Sequence, residues 1–69
     1  MLGDKIKELR KLEGITQTEL ARRVGRKPHY ISQLENNIFR PSLKTLDKIA
    51  EVLKTRSSIL LDGHTTNLR

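Results

Sequence analysis

The sequence contains no cysteine among its 69 residues. Disulfide-stapled scaffolds and metal sites built from thiolates are therefore excluded, and a reducing compartment is compatible with the chain. No apolar run approaches the ~20 residues that span a bilayer, and the first residues lack the apolar core of a secretory signal peptide. We therefore expect a cytoplasmic protein without a membrane partner.

Aromatic residues are almost absent, with one tyrosine and one phenylalanine. Single-stranded RNA is commonly bound on platforms of aromatic side chains, and two rings do not build one. Catalytic and metal-binding patterns are also missing. His29 and His64 stand far apart without a ligand cluster, and neither a glycine-rich phosphate loop nor a nucleophile elbow occurs. We expect no enzyme activity, no metal and no cofactor.

Acidic side chains are in deficit, because 14 lysines and arginines face eight aspartates and glutamates, for a net charge of +6. This balance favours a polyanionic partner, either nucleic acid or an anionic membrane surface. Between Glu19 and Glu35 no acidic residue occurs. That window instead holds a set of basic or titratable side chains: Arg22, Arg23, Arg26, Lys27 and His29. Since a solvated face usually mixes signs, the stretch is typical of a surface that approaches phosphate.

The apolar residues recur at steps of three and four, which predicts five short helices and no strand. The first runs to about Glu13, before Gly14. The second begins with a capping box, in which Thr16 and Glu19 exchange side-chain-to-amide bonds, and stops at Gly25. The inward positions predicted for these two helices are Leu2, Ile6, Leu9, Leu12, Leu20, Ala21 and Val24.

The third helix is predicted to begin after Lys27, with Pro28 in its first turn, and to end at 36–37. Ser42 caps a fourth helix, and a short fifth helix covers about 57–61, before Asp62. The inward positions predicted here are Ile31, Leu34, Leu43, Leu46, Ile49, Ala50 and Leu53. A capped helix, a glycine, a three-residue turn and a second short helix form the arrangement of a helix-turn-helix unit, whose second helix enters the DNA major groove.

Three segments, at 16–25, 30–36 and 41–46, resemble the Cro/repressor-type (XRE-like) helix-turn-helix family. Lambdoid phage repressors, restriction-modification controller proteins and SinR-type biofilm regulators belong to it. The resemblance implies an all-α, five-helix, lambda-repressor-like DNA-binding domain over 1–62. Residues 63–69 would form a tail that is disordered or lies at a dimer interface.

The third helix supplies the candidate base contacts, because four of its residues face outward if Ile31 and Leu34 face inward: Pro28, His29, Ser32 and Gln33. A glutamine can pair bidentately with adenine, histidine can donate to guanine, and serine can donate or accept. Pro28 stands where relatives often read a base, yet it has no polar side-chain atom and offers at most contact with a thymine methyl. For His29, an exposed histidine that reads no base is the alternative.

Candidate phosphate contacts flank that helix. The resemblance implies that Gln17, at the N-terminus of the second helix, bonds a backbone phosphate; an ordinary exposed glutamine is the alternative. Tyr30 is equally consistent with a phosphate contact or with partial burial, and Ser42 with a contact or with capping alone. The full predicted set is Thr16, Gln17, Thr18, Lys27, Tyr30, Asn36, Arg40, Ser42 and Lys44. The resemblance also implies a structural ion pair between Arg10 and Glu35.

A dimer is expected, because one module reads only half a site. Its candidate interface is Leu53, Ile59, Leu60, Leu61 and Leu68, unless Ile59 and Leu60 simply close the core. The resulting hypothesis is a sequence-specific regulator of transcription, a repressor that binds a palindromic operator in double-stranded DNA. The alternative is an antitoxin or interaction module that binds a partner protein as well as DNA.

Overall fold

The computed structural model describes residues 1–61, and the predictions for Leu68 and for the tail lie outside them. The described chain forms five α-helices and no strand: α1 (Leu2–Leu12), α2 (Gln17–Val24), α3 (Pro28–Glu35), α4 (Leu43–Val52) and α5 (Ser57–Leu61). The all-α, five-helix fold class predicted from the sequence is confirmed.

The helix boundaries follow from local capping chemistry. The Thr16 Oγ1 accepts from the Glu19 amide at 3.0 Å at the start of α2, and the Ser42 Oγ accepts from the Thr45 amide at 3.2 Å at the start of α4. Gly25 ends α2 in the left-handed region with φ 75°, where a residue without Cβ is little strained. Lys27 is extended before Pro28 and provides no side-chain cap, so proline geometry sets the start of α3.

The core lies between all five helices and consists of aliphatic side chains: Ile6, Leu20, Ala21, Val24, Ile31, Leu34, Leu46, Ile49, Ala50, Leu53 and Leu60. Two predicted inward positions are wrong, because Leu12 is 74% exposed and Leu43 is 63% exposed. The buried stripe of α1 runs through Gly3, Ile6 and Arg10, which turns Leu12 away at helical spacing. Leu43 is the first residue of α4 and lies at the N-terminus of that helix.

The N-terminus of α1 packs against the end of α3. Met1 gives α1 no side-chain cap, and the Gly3 amide donates instead to the Asn37 Oδ1 at 2.8 Å. Asn37 adopts φ 61° just beyond α3, a conformation that asparagine tolerates better than most residues. A Cβ on Gly3 would overlap the carbonyl oxygen of Leu34 and come within 2.7 Å of that of Glu35. The close approach of the two helices therefore requires glycine at this position.

Replacing Gly3 by alanine should destabilise the fold by about 1–3 kcal/mol, because backbone oxygens must move to admit the Cβ. Urea denaturation followed by circular dichroism measures the change. Lys7→Ala, at an exposed position of α1, is the control and should change stability by less than about 0.5 kcal/mol. Wild-type stability of Gly3→Ala would contradict the close packing.

Candidate nucleic-acid interface

After the turn that follows α2, the third helix buries one side and leaves its outer side accessible to solvent. Ile31 and Leu34 are buried against the core, whereas Pro28 and His29 are exposed and Ser32 and Gln33 are half-buried. These four outward residues lie at three- and four-residue spacings and so share one side of the helix. A cleft of about 430 Å³ runs along the turn, and its lining includes Lys27, His29 and Gln33. The structure thus brings the predicted base-contact residues together, and their contacts with bases stay a prediction.

A buried ion pair fixes α3 to α1. The Arg10 Nε donates to the Glu35 Oε2 at 2.6 Å and the Arg10 Nη2 donates to Oε1 at 3.0 Å. The side chains are only 9% and 2% exposed, so the pair forms in a largely dry setting. The Arg10 Nη1 also donates to the Ile15 carbonyl at 2.9 Å. Two of these three Arg10 bonds therefore hold the end of α3, in the ion pair that the resemblance implied.

Gln17 joins this pair from the start of α2. Its Nε2 donates to the Glu35 Oε1 at 3.0 Å, and its side chain is half-buried. We call Arg10, Glu35 and Gln17 the inter-helix network, since it links the first three helices. The sequence gives no signal for this bond, because no local pattern indicates which distant carboxylate a glutamine will contact. The contact of Gln17 with phosphate stays a prediction.

Glu19 pairs with two arginines on the outer face of α2. Its Oε2 lies 2.6 Å from the Arg22 Nη2 and 2.7 Å from the Arg23 Nε. Hydrogen bonds from Arg22 and then Arg23 lower the pKa of Glu19 from 4.5 to about 2, and the same contact raises the pKa of Arg22. The predicted return bond from this carboxylate to the Thr16 amide is wrong, because two charge-assisted bonds at helical spacing outcompete it. Part of the basic charge assigned to this window is therefore neutralised within the protein.

Tyr30 packs as a half-buried ring. Its centroid lies 5.0 Å from that of Phe39, with the rings inclined at 58°, and the Arg26 guanidinium lies 4.9 Å above it. Of the two alternatives for Tyr30, the structure thus shows the partial burial. A phosphate contact by its hydroxyl stays a prediction.

The remaining candidate phosphate contacts lie at exposed positions around α3: Thr16, Thr18, Lys27, Asn36, Arg40, Ser42 and Lys44. Three of them already make internal hydrogen bonds. The Thr16 and Ser42 hydroxyls cap α2 and α4, and the Asn36 Nδ2 donates to the Ser32 carbonyl at 2.9 Å. Lys27, Arg40 and Lys44 supply the cationic side chains of this set.

The predicted dimer interface needs correction. Leu53 and Leu60 are only 2% and 1% exposed, so both close the core and offer no surface to a second subunit. Both side chains belong to the hydrophobic core. Ile59 is 49% exposed and Leu61 is half-buried, which leaves these two as interface candidates within the described chain. None of the helices described within residues 1–61 combines the length and the apolar composition of a membrane span.

Replacing Arg10 by methionine should cost about 3–5 kcal/mol, because the Glu35 carboxylate then stays buried without its main counter-charge. The double variant Arg10→Met/Glu35→Leu should recover at least half of that loss, since it removes both charges. Guanidinium denaturation of the three proteins tests this. The interpretation fails if the single variant matches wild type, or if the double variant is no more stable than the single one.

The Glu19 contacts predict a stability difference that depends on pH. Because the folded pKa is depressed, the stabilisation is complete above about pH 4.5 and is lost as the pH falls toward about 2. Thermal melts should therefore give wild type a higher Tm than Glu19→Gln at pH 6 and equal values near pH 2. Added salt should shrink the gap, since the side chains are exposed. Glu51→Gln, at an exposed position of α4, is the matched control; a gap that persists at pH 2 would contradict the assignment.

Comparison with known proteins places this geometry in a family. The sequence profile of the Helix-turn-helix family (HTH_3) matches residues 6–60. The HTH-type transcriptional regulator SinR of Bacillus subtilis is 38% identical over 63 residues, which are 90% of this chain and 57% of the regulator. The chain thus spans little more than half the length of that relative.

Solved structures agree with the sequence match. The structure of the master regulator for biofilm formation SinR in complex with DNA superposes with a TM-score of 0.84 at 38% identity, covering 90% of this chain and all of that one. SinR in its complex with the SinI protein gives 0.86 at 36% identity, over 100% and 68% of the chains. The DNA-binding domain of the P22 C2 repressor gives 0.88 at 30% identity, over 91% and 83%. The chain therefore belongs to the Cro/repressor-type helix-turn-helix family of transcription regulators, which the three sequence segments indicated.

Proposed function

We propose that the protein binds operator DNA in a sequence-specific manner through α3 in the major groove, and that it represses transcription. The observation that carries the proposal is the outer face of α3, where His29, Ser32 and Gln33 stand on one side of a helix anchored from behind by Glu35. A rigidly held helix presenting hydrogen-bonding side chains is what base-edge recognition requires. SinR, which shares this fold at 38% identity, has been solved with DNA.

Cations flank that face. Lys27 precedes α3, whereas Arg40 and Lys44 follow it in the loop and at the start of α4, and all three are exposed. Because each phosphate contact releases condensed counterions, binding should weaken steeply with salt. We assign these side chains to phosphate and the α3 residues to bases. Binding to chromosomal DNA would place the protein in the cytoplasm, at the nucleoid.

We also propose that the protein acts as a dimer, which the same mode of recognition favours. Two α3 helices one DNA turn apart, ~34 Å, read the two halves of a palindrome. Ile59 and Leu61, on α5, are the described apolar side chains available for the contact. Equilibrium sedimentation with and without an operator duplex measures the state of assembly.

A second candidate function is interaction with a partner protein. An apolar groove of about 350 Å³ lies beside α5, and its lining includes Leu2, Phe39 and Leu61. SinR, similar over the full length of this chain, has been solved in a SinR/SinI complex. An antitoxin or regulator of this type would co-purify with a stoichiometric small protein.

Selection of bound duplexes from a random pool, followed by affinity measurements at several salt concentrations, tests the DNA-binding proposal. Gln33→Ala should lose ~1–3 kcal/mol on the selected site and relax the choice at one base pair. Lys44→Ala should weaken selected and random duplexes alike and reduce the salt slope by ~1. Equal losses of Gln33→Ala on both kinds of duplex would refute base reading by Gln33.

A further inference from the structure

Arg26 occupies an unusual place in the turn before α3. Its backbone amide donates to the Ala21 carbonyl at 2.8 Å, which fixes the start of its side chain against the end of α2. The side chain then reaches two other elements. Its guanidinium lies 4.9 Å from the centroid of the Tyr30 ring on α3, and its Nη2 donates to the Thr45 Oγ1 on α4 at 3.2 Å.

Of these two partners of Arg26, one is itself a predicted phosphate contact and the other bonds to one. Tyr30 is one such contact, and its ring is also held by Phe39 at 5.0 Å between centroids. Thr45 is buried, and its Oγ1 accepts from the Ser42 hydroxyl at 3.1 Å. Arg26 thereby couples the ring on α3 to the capped N-terminus of α4, on either side of the cleft beside the turn.

The exposed position of Arg26 and its charge would suggest a direct phosphate ligand. The geometry points elsewhere, because the flat guanidinium already covers an aromatic face and one N–H already serves Thr45. A planar, multidentate cation is suited to stack on a ring and bond a hydroxyl at the same time, which an ammonium does less well.

We propose that Arg26 is a positioning residue for DNA binding, which clamps Tyr30 and the start of α4 in one rigid phosphate-facing arrangement. This inference rests on the proposed function and deepens it. The clamp holds the Tyr30 hydroxyl and the Ser42 region in a fixed relation before DNA arrives. Arg26 acts through these residues and not by contact with the backbone of the duplex.

A double-mutant cycle on the selected duplex tests the clamp. Arg26→Lys keeps the charge and Arg26→Met removes it, and both should weaken binding by roughly three- to ten-fold. Arg26→Lys should leave the salt slope at its wild-type value. In a Tyr30→Phe background the further loss should be smaller than in the wild type, because the hydroxyl is gone and only the start of α4, bonded through Thr45, remains to be positioned. Lys7→Met, an exposed cation on α1, is the control for general loss of charge.

Two results of the cycle would overturn the proposal. One is wild-type affinity for Arg26→Lys together with a salt slope reduced by ~1 for Arg26→Met, which identifies a direct phosphate ligand. The other is an equal loss with and without the Tyr30 hydroxyl. Circular dichroism melts establish that each variant is folded before affinities are compared.

A measurement without DNA separates this inference from the proposed function. In the NMR spectrum of the free protein, the side-chain protons of Arg26 should show an upfield ring-current shift that disappears in Tyr30→Leu. Absence of the shift in the wild type refutes the clamp even where DNA binds tightly. Failure of the wild type to bind any duplex, with the shift present, refutes the proposed function and leaves the packing of Arg26 on Tyr30 established.

Discussion

Glu35 is the buried carboxylate on which the placement of α3 depends. It accepts two bonds from Arg10 and one from Gln17, so helices α1 and α2 both grip the end of α3 through one side chain. Burying two charges is expensive, and the attraction repays the cost only when geometry is good and the remaining polar atoms are satisfied. Here every buried side-chain nitrogen and oxygen within residues 1–61 has a partner. The network therefore acts chiefly to fix the direction of α3.

A comparison of the Glu19 contacts with those of Glu35 shows how burial changes the effect of a pair between a carboxylate and a guanidinium. Glu19 meets two guanidiniums at distances close to those in the inter-helix network, yet all three groups stay accessible to solvent. Water and salt screen such pairs, so their contribution to stability is small. Their consequence is electrostatic, since the single Glu19 carboxylate offsets one of the two positive charges of Arg22 and Arg23. The exposed cations that flank α3 include Lys27, Arg40 and Lys44.

Other contacts hold α3 beyond the network. At its start, Pro28 sets the backbone and Arg26 joins Tyr30 to Thr45. At its end, the Asn37 side chain receives the Gly3 amide and draws α1 onto the last carbonyls of the helix. A helix of eight residues is marginal by itself. These tertiary contacts are what allow so short an element to present a defined face.

The sequence by itself determined the five helices, because the signals that start and end them act within a few residues. Thr16 and Ser42 bond amides three positions away, Gly25 needs only its own φ, and Pro28 restricts the residue before it. The face of α3 opposite Ile31 and Leu34 follows from helical periodicity alone. The family resemblance added the partnership of Arg10 with Glu35, which lie 25 residues apart.

Only the tertiary structure decided which side chains are buried and which side chains of different helices contact one another. It sent Leu12 and Leu43 to the surface and drew Leu60, a candidate for the dimer interface, into the core, because burial depends on which helix covers a position and periodicity does not specify that neighbour. It also determined that Gln17 bonds to Glu35 and that Arg26 contacts Tyr30 and Thr45. Such bonds join groups distant in sequence, and they exist only after packing brings the helices within hydrogen-bonding distance.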